Sequence, residues 1–311
     1  MLDALSKSFF HALARSASLE RMASRYGMSG RAGFARRFIA GETADEAIAQ
    51  ARQIQAGGLL LTLDQLGESI TTLGEAEAAT AVYLTLIEKI RAAGIDRNIS
   101  VKPTQLGLNI DPAVCVDNVK RILSLARDHD FFVRIDMENT PYIQKTLDMF
   151  SAVWTQGFRN TGVVLQSAVF RSEEDAKAVS VTGARVRLVK GAYKEPSAVA
   201  YQAKADVDAA FVRILQYLMT DGHYPAIATH DPAMIDATKA FAAEKGIAKD
   251  RFEFQMLYGI RRDLQASLMA DGYRMRVYVP FGKQWFPYFM RRLGERPANV
   301  GFILKAIVGE R

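Results

Sequence analysis

Residues 186–193 read VRLVKGAY. Val186–Lys190 is a short apolar run interrupted by Arg187, bounded by Gly183 before it and Gly191 after it. A run of this length between glycines is the mark of a strand buried on both faces, as in a parallel sheet. Seven further runs share the form: Gly58–Leu63, Ile99–Lys102, Phe131–Met137, Val163–Ser167, Ala226–Thr229, Phe252–Gln255 and Met275–Val279. Between them lie segments of helical spacing: Glu75–Ala92, Asp117–Asp128, Ile143–Thr155, Glu173–Val179, Tyr201–Met219, Met234–Lys245 and Arg262–Asp271. Glycine and proline punctuate the joints. Strands alternating with helices predict parallel βα units, and eight of them predict closure into a (β/α)8 barrel of the TIM type. No glycine-rich dinucleotide fingerprint follows the first run, which counts against a Rossmann sheet.

The composition is that of one large globular domain. The chain has 311 residues, 49% hydrophobic and 24% charged, with only 9 prolines, which excludes low-complexity disorder. No stretch approaches the ~18 uncharged apolar residues of a spanning helix. The single cysteine, Cys115, excludes an intrachain disulfide and makes a reducing cytoplasm the default expectation. Net charge is +6, but residues 1–37 hold seven basic residues against Asp3 and Glu20. The rest of the chain is therefore almost neutral, which counts against an open nucleic-acid track. Residues 1–50 read as an amphipathic helical arm and residues 51–311 as the catalytic barrel. The arm is too polar for a secretory signal. It reads most simply as a solvated basic helix; contact with a membrane face or a partner is the alternative.

In a (β/α)8 barrel the chemistry stands at the C-terminal ends of the strands. Asp64 and then Glu68 follow the first run, and Lys102 ends the second. Asp136 ends the third, Gln166 lies on the fourth, and Arg187 and Lys190 lie on the fifth. Thr229, His230 and Asp231 end the sixth, Gln255 and Leu257 mark the seventh, and Arg276 and Tyr278 lie on the eighth. One such residue is ordinary at a solvated rim. A nearly complete ring is not, because buried charge is costly unless paired or used.

The last helical segment adds Tyr288, Arg291, Arg292 and Glu295, spaced to share a helix face. Following the eighth strand directly, it can overhang the mouth, where paired arginines suit a carboxylate or phosphate. The four histidines are scattered, and neither a metal site, a GxSxG elbow nor a phosphate loop is present. On chemistry alone, Lys102 or Lys190 as a Schiff-base nucleophile of a barrel lyase or aldolase is the chief alternative.

The motifs SVKPTQLG, RIDMEN, VVLQSA, RLVKGAY, ATHD, FEFQMLYG, RVYVPFG and YFMRRLGERPAN occur in order from about Leu60 to Asn299. Together they resemble the proline dehydrogenase family in its short, single-function form. The resemblance implies a distorted (β/α)8 barrel holding FAD. It implies oxidation of L-proline to 1-pyrroline-5-carboxylate by hydride transfer, with electrons passed to a quinone. The chain is too short to include the aldehyde dehydrogenase half of the bifunctional relatives.

The resemblance also implies residue roles. Lys102, Arg291 and Arg292 match positions that bind the substrate carboxylate, and Tyr278, Tyr288 and Leu257 match residues that wall in the ring. Met137, Gln166, Arg187, Val189, Lys190, Gly191, Ala192, Thr229 and His230 match flavin contacts. Arg187 and Asp136 match residues treated as catalytic, and Asp136 is expected to orient Lys102 or Arg187 by ion pairing. Glu68 is expected to pair with Arg291 as a gate over the mouth. Tyr278 stands where relatives that use hydroxyproline tend to be smaller, which favours proline. Lys194 departs from the tryptophan or arginine of many relatives, and AYQAKADVDAAF, with Lys204, is a loose match. Electron delivery to a membrane quinone would bring at least transient contact with the inner membrane, for which the basic arm is a candidate, as it is for self-association into an oligomer.

Overall fold

The computed structural model describes residue 28 and residues 33–67 and 70–295. Eight parallel strands close a barrel in sequence order. They are β1 (Leu60–Gln65), β2 (Asn98–Val101), β3 (Phe132–Ile135), β4 (Thr161–Gln166), β5 (Arg185–Val189), β6 (Ala226–Ala228), β7 (Glu253–Leu257) and β8 (Met275–Phe281). Each run expected to be a strand is one, with ends displaced by no more than two residues. The displacements follow the pairing. β1 continues to Gln65, whose partner in β8 is Phe281, so a neighbour rather than local composition sets where that strand stops.

Helix α1 (Ala44–Ala56) precedes β1 and packs on β1 and β8. Then α2 (Leu73–Ala93), α3 (Pro112–Asp128), α4 (Thr140–Thr155), α5 (Ser172–Val181), α6 (Lys204–Asp221), α7 (Pro232–Glu244) and α8 (Arg262–Ala270) connect successive strands. α9 (Trp285–Glu295) follows β8. The starts of α1 and α2 are written locally. Thr43 with Glu46, and Thr72 with Glu75, form capping boxes that satisfy otherwise orphaned amides. α3 and α7 instead open on Asp111 and Asp231, each followed by proline at the first helical position.

Two apolar clusters hold these pieces together. The larger joins the strands to the inner faces of the surrounding helices. The smaller joins Phe38 and Ile39 to Leu66, Trp285, Phe286, Phe289 and Met290, and so fixes α9 above the end of β8. Trp285 also donates its indole N–H to Glu42 (3.1 Å). Segment 38–42 runs along β8, with Ala40 N donating to Pro280 O and Gly282 N to Gly41 O, both at 2.9 Å. With one face of α9 buried, Tyr288, Arg291 and Arg292 are left to line the barrel mouth.

The opposite end of the barrel is sealed by charge. Arg276 binds Glu253 (2.8 Å) and Asp96 (2.6 Å), while Arg134 donates to the carbonyls of Val163 (3.1 Å) and Arg185 (2.6 Å). Arg276 therefore does not stand at the mouth with Tyr278, as its place in RVYVPFG suggested. β8 begins at Met275, so the alternation that turns both side chains to one face puts Arg276 one layer nearer the N-terminal end.

Candidate active site

A cavity of about 570 Å³ opens at the C-terminal end of the barrel, within the range of small-molecule sites. Lys102, Asp136, Met137, Gln166, Arg187, Val189, Lys190, Gly191, Ala192, Thr229, His230, Leu257, Tyr278, Tyr288, Arg291 and Arg292 all line it. β2 to β8 bring all but the last three there, because each carries residues at or just beyond its end or on an inward-facing position; Tyr288, Arg291 and Arg292 come from α9. Glu68, and with it the expected Glu68–Arg291 pair, lies outside the described residues, as do the Glu295 side chain and the basic arm up to residue 27.

Asp136 is the hub. Its Oδ1 accepts from Arg187 Nη1 (2.8 Å) and its Oδ2 accepts from the Tyr278 hydroxyl (2.7 Å). Lys102 Nζ lies 3.6 Å from the same Oδ2 and donates to the Tyr278 oxygen at 3.2 Å. One carboxylate thus joins the end of β2 to inward-facing residues of β5 and β8. Arg187 is anchored again by Ser100, whose hydroxyl accepts from Nη2 at 3.2 Å. Its guanidinium also lies 5.3 Å from the centre of the Tyr278 ring, a cation–π distance. Burial, and then the neighbouring Asp136 and Asp64, push the Tyr278 phenol well above its usual range, so it is a hydrogen-bond donor at neutral pH.

Lys102 has a second and closer anion. Asp64, at the end of β1 and fully buried, accepts from its Nζ at 2.6 Å. Burial raises the Asp64 carboxyl to about 6, with Asp136 adding to the rise and Lys102 opposing it. The sequence places Asp64 in the ring of polar strand ends but assigns it no role there. Its partner is 38 residues away, and only closure of the barrel brings them together.

On the other side of the cavity Lys190 lies between Asp208 and Asp231, 2.6 Å from the latter. Lys204 binds the same two carboxylates. Burial alone would raise Asp231, but hydrogen bonds from the two lysines hold it down to about 2. His230 Nε2 accepts the Leu257 N–H (2.9 Å), so a neutral ring carries its proton on Nδ1. Gln166 donates to the carbonyls of Met137 (3.3 Å) and Glu138 (2.9 Å). Its Oε1 is buried and accepts no hydrogen bond. Gly191, at φ +109°, passes so close that an added Cβ would stand 3.1 Å from that oxygen. A close backbone approach beside an unused buried acceptor is the form of a site for a flat, hydrogen-bonding ring.

Arg292 stacks on Tyr288, with 5.1 Å from its Cζ to the ring centre, and Arg291 lies beside it on the rim. The arrangement suits a small anion with an apolar body. Cations stand on α9 and at Lys102, and Leu257, Met256 and the two tyrosine rings line the same cavity. The same pairing weakens the Schiff-base alternative: each candidate lysine is held by two carboxylates, whereas an amine nucleophile must be neutral.

Residues 47–305 match the family model described as proline dehydrogenase. The chain is similar to proline dehydrogenase 2 of Bacillus subtilis (strain 168), with 41% identity over 97% of this chain and 99% of the relative. It is also similar to the proline dehydrogenase of Deinococcus radiodurans, with 40% identity over 88% of this chain and 90% of the relative. Among solved structures it resembles proline utilization A (PutA) from Bdellovibrio bacteriovorus inactivated by N-propargylglycine. That match has a TM-score of 0.78 and 28% identity, and covers 84% of this chain and 32% of that longer one.

Proposed function

We propose a mechanism from one premise: the chain belongs to the proline dehydrogenase family and is an oxidoreductase acting on proline. The substrate lies between α9 and the Asp136 hub. Arg291 and Arg292 bind its carboxylate with planar forks and Lys102 with a point charge. Leu257, Tyr278 and Tyr288 enclose the ring methylenes and keep water from the carbon that is oxidised.

The cofactor is FAD. The observation that carries this is the buried, unused Gln166 Oε1 beside Gly191. It fits a ring that brings its own N–H donor, as the flavin pyrimidine does. Gln166, Gly191, Ala192, Val189 and Met137 would hold the ring, and Lys190, Thr229 and His230 the rest of the molecule. When bound, FAD supplies a two-electron acceptor for the hydride leaving proline C5 and a route for those electrons to a quinone.

The protein's own part is electrostatic and geometric. Asp136 fixes Arg187 and Tyr278 in one arrangement before substrate arrives, and so preorganises a cation and a donor where negative charge develops. Proline must lose its second amine proton before C5 can give up hydride. Asp136 stands at the cavity to take or relay that proton, or to hold the groups that pass it to water. The balanced change is proline minus one hydride and one proton, giving the cyclic imine 1-pyrroline-5-carboxylate.

Incubating the purified holoenzyme with L-proline and a soluble quinone tests this reading. The expected result is one quinone reduced per cyclic imine formed, followed by NMR. Imine formed without quinone reduction would reject the proposed acceptor, and no imine would reject the site. Among the described residues no helix is long and apolar enough to cross a membrane. Delivery to a membrane quinone would then require surface contact. Truncation near residue 38 tests whether the basic arm provides that contact or an oligomer interface: unchanged activity on membranes and unchanged particle mass would remove the arm from both roles.

A further inference from the structure

Glu138 lies beside the cavity two residues beyond Asp136 and is 3% exposed. Both its carboxylate oxygens are turned onto one residue. Thr104 N donates to Oε2 at 2.8 Å and the Thr104 hydroxyl donates to Oε1 at 2.5 Å. Thr104 stands in the short 3₁₀ turn Pro103–Leu106, which begins immediately after Lys102. Lys102 is extended (φ −104°, ψ 123°), as a residue before proline is constrained to be. Its carbonyl accepts from Gln105 N at 3.1 Å, within the same turn. The backbone carbonyl of Glu138 meanwhile accepts from Gln166 Nε2 at 2.9 Å. One residue therefore ties the end of β2, which carries Lys102, to the end of β4, which carries Gln166.

We propose that Glu138 is a positioning residue: by clamping Thr104 it fixes where Lys102 meets the substrate carboxylate. The proposal rests on Lys102 being a carboxylate anchor, as argued above. A buried carboxylate is expensive to maintain. A glutamate makes both bonds to Thr104 charge-assisted, whereas a glutamine of the same shape makes neutral and weaker ones. The Lys102 ammonium is already steered by Asp64 and Asp136 at its tip. Glu138 acts at the other end of the side chain, on the backbone from which it springs.

The test compares kcat/KM of the holoenzyme for L-proline with that for pyrrolidine, which has the ring amine but no carboxylate. Glu138→Gln is expected to lower the proline-to-pyrrolidine ratio about 10-fold, the scale of effect that a small misplacement of a positioning group produces. Thr104→Val should lower the ratio in the same sense, and Thr104→Ser, which keeps the hydroxyl, should restore it. The double variant Glu138→Gln, Thr104→Val should lose less than the sum of the two single losses, because the two side chains share a contact. An unchanged ratio in Glu138→Gln overturns the proposal, and so does an equal loss on both substrates. If Glu138→Gln does not fold, the threonine pair decides: a ratio lowered in Thr104→Val and restored in Thr104→Ser supports the clamp, and a ratio unchanged in both rejects it. Lys102→Met separates the two readings. If it lowers the ratio while Glu138→Gln does not, only the positioning role fails. If Lys102→Met leaves the ratio unchanged, the anchor assignment fails with it.

Discussion

Arg187 and Asp136 are joined across the barrel mouth, Nη1 to Oδ1 at 2.8 Å, with Tyr278 on the carboxylate's other oxygen at 2.7 Å. Arg187 is 4% exposed, so removing its partner would leave a buried charge uncompensated. Removing the cation with Arg187→Met should lower kcat by about 100-fold, the usual effect of losing one preorganised electrostatic partner. Steady-state kinetics with L-proline and a dye acceptor, alongside the flavin content of the purified variant, would show this. Full turnover in a flavin-replete variant would remove Arg187 from the chemistry.

Arg291 makes a different prediction, because it lines the cavity from α9 and is proposed to bind the substrate carboxylate. Arg291→Met should raise the KM for proline by about 30-fold, the range of a lost hydrogen bond to a charged group. Flavin content should be almost unchanged. The readout is the proline saturation curve beside the protein's absorbance spectrum. A loss of flavin with an unaltered KM would place Arg291 on the cofactor side.

Asp64 gives a pH dependence. Its carboxyl is raised to about 6 from the usual 3.8, burial being the main cause. The folded state therefore holds this proton more tightly than the unfolded chain. The stability that Asp64 contributes is full below about pH 4 and is lost as pH rises through about 6. Catalysis should respond in the opposite sense, since the ionised form is the anion that holds Lys102. We expect kcat/KM for proline to fall additionally as pH drops through about 6, and Asp64→Asn to abolish that break. A profile identical in wild type and variant would show that Asp64 does not titrate on the catalytic path.

Gly191 tests the flavin cradle without touching a charged group. At φ +109° any side chain is strained, and a Cβ would press on Gln166 Oε1 at 3.1 Å. Gly191→Ala should cost about 1–3 kcal/mol of local conformational energy and weaken flavin retention in proportion. The flavin-to-protein ratio after gel filtration measures it. Retention equal to wild type would mean that the ring does not approach this segment.

The fold was legible because strands buried on both faces read as apolar runs, and VRLVKGAY shows why the site was partly legible too. Arg187 and Lys190 are anomalies within such a run, and anomalies at strand ends point into a barrel mouth. The partners of those residues were not legible. Lys102 and Asp64 are 38 residues apart, and Lys190 and Asp231 are 41 apart. Closure of the barrel, not local pattern, decides which charges meet. The same gap misplaced Arg276: alternation gives the face a residue points to, but not which layer of the barrel it occupies.

The most direct measurement is an anaerobic titration of the purified protein with L-proline, followed by absorbance. The account predicts an oxidised flavin band near ~450 nm, a general property of such cofactors, bleached stoichiometrically as proline is added. A colourless protein, or a flavin band that L-proline leaves untouched, would contradict it.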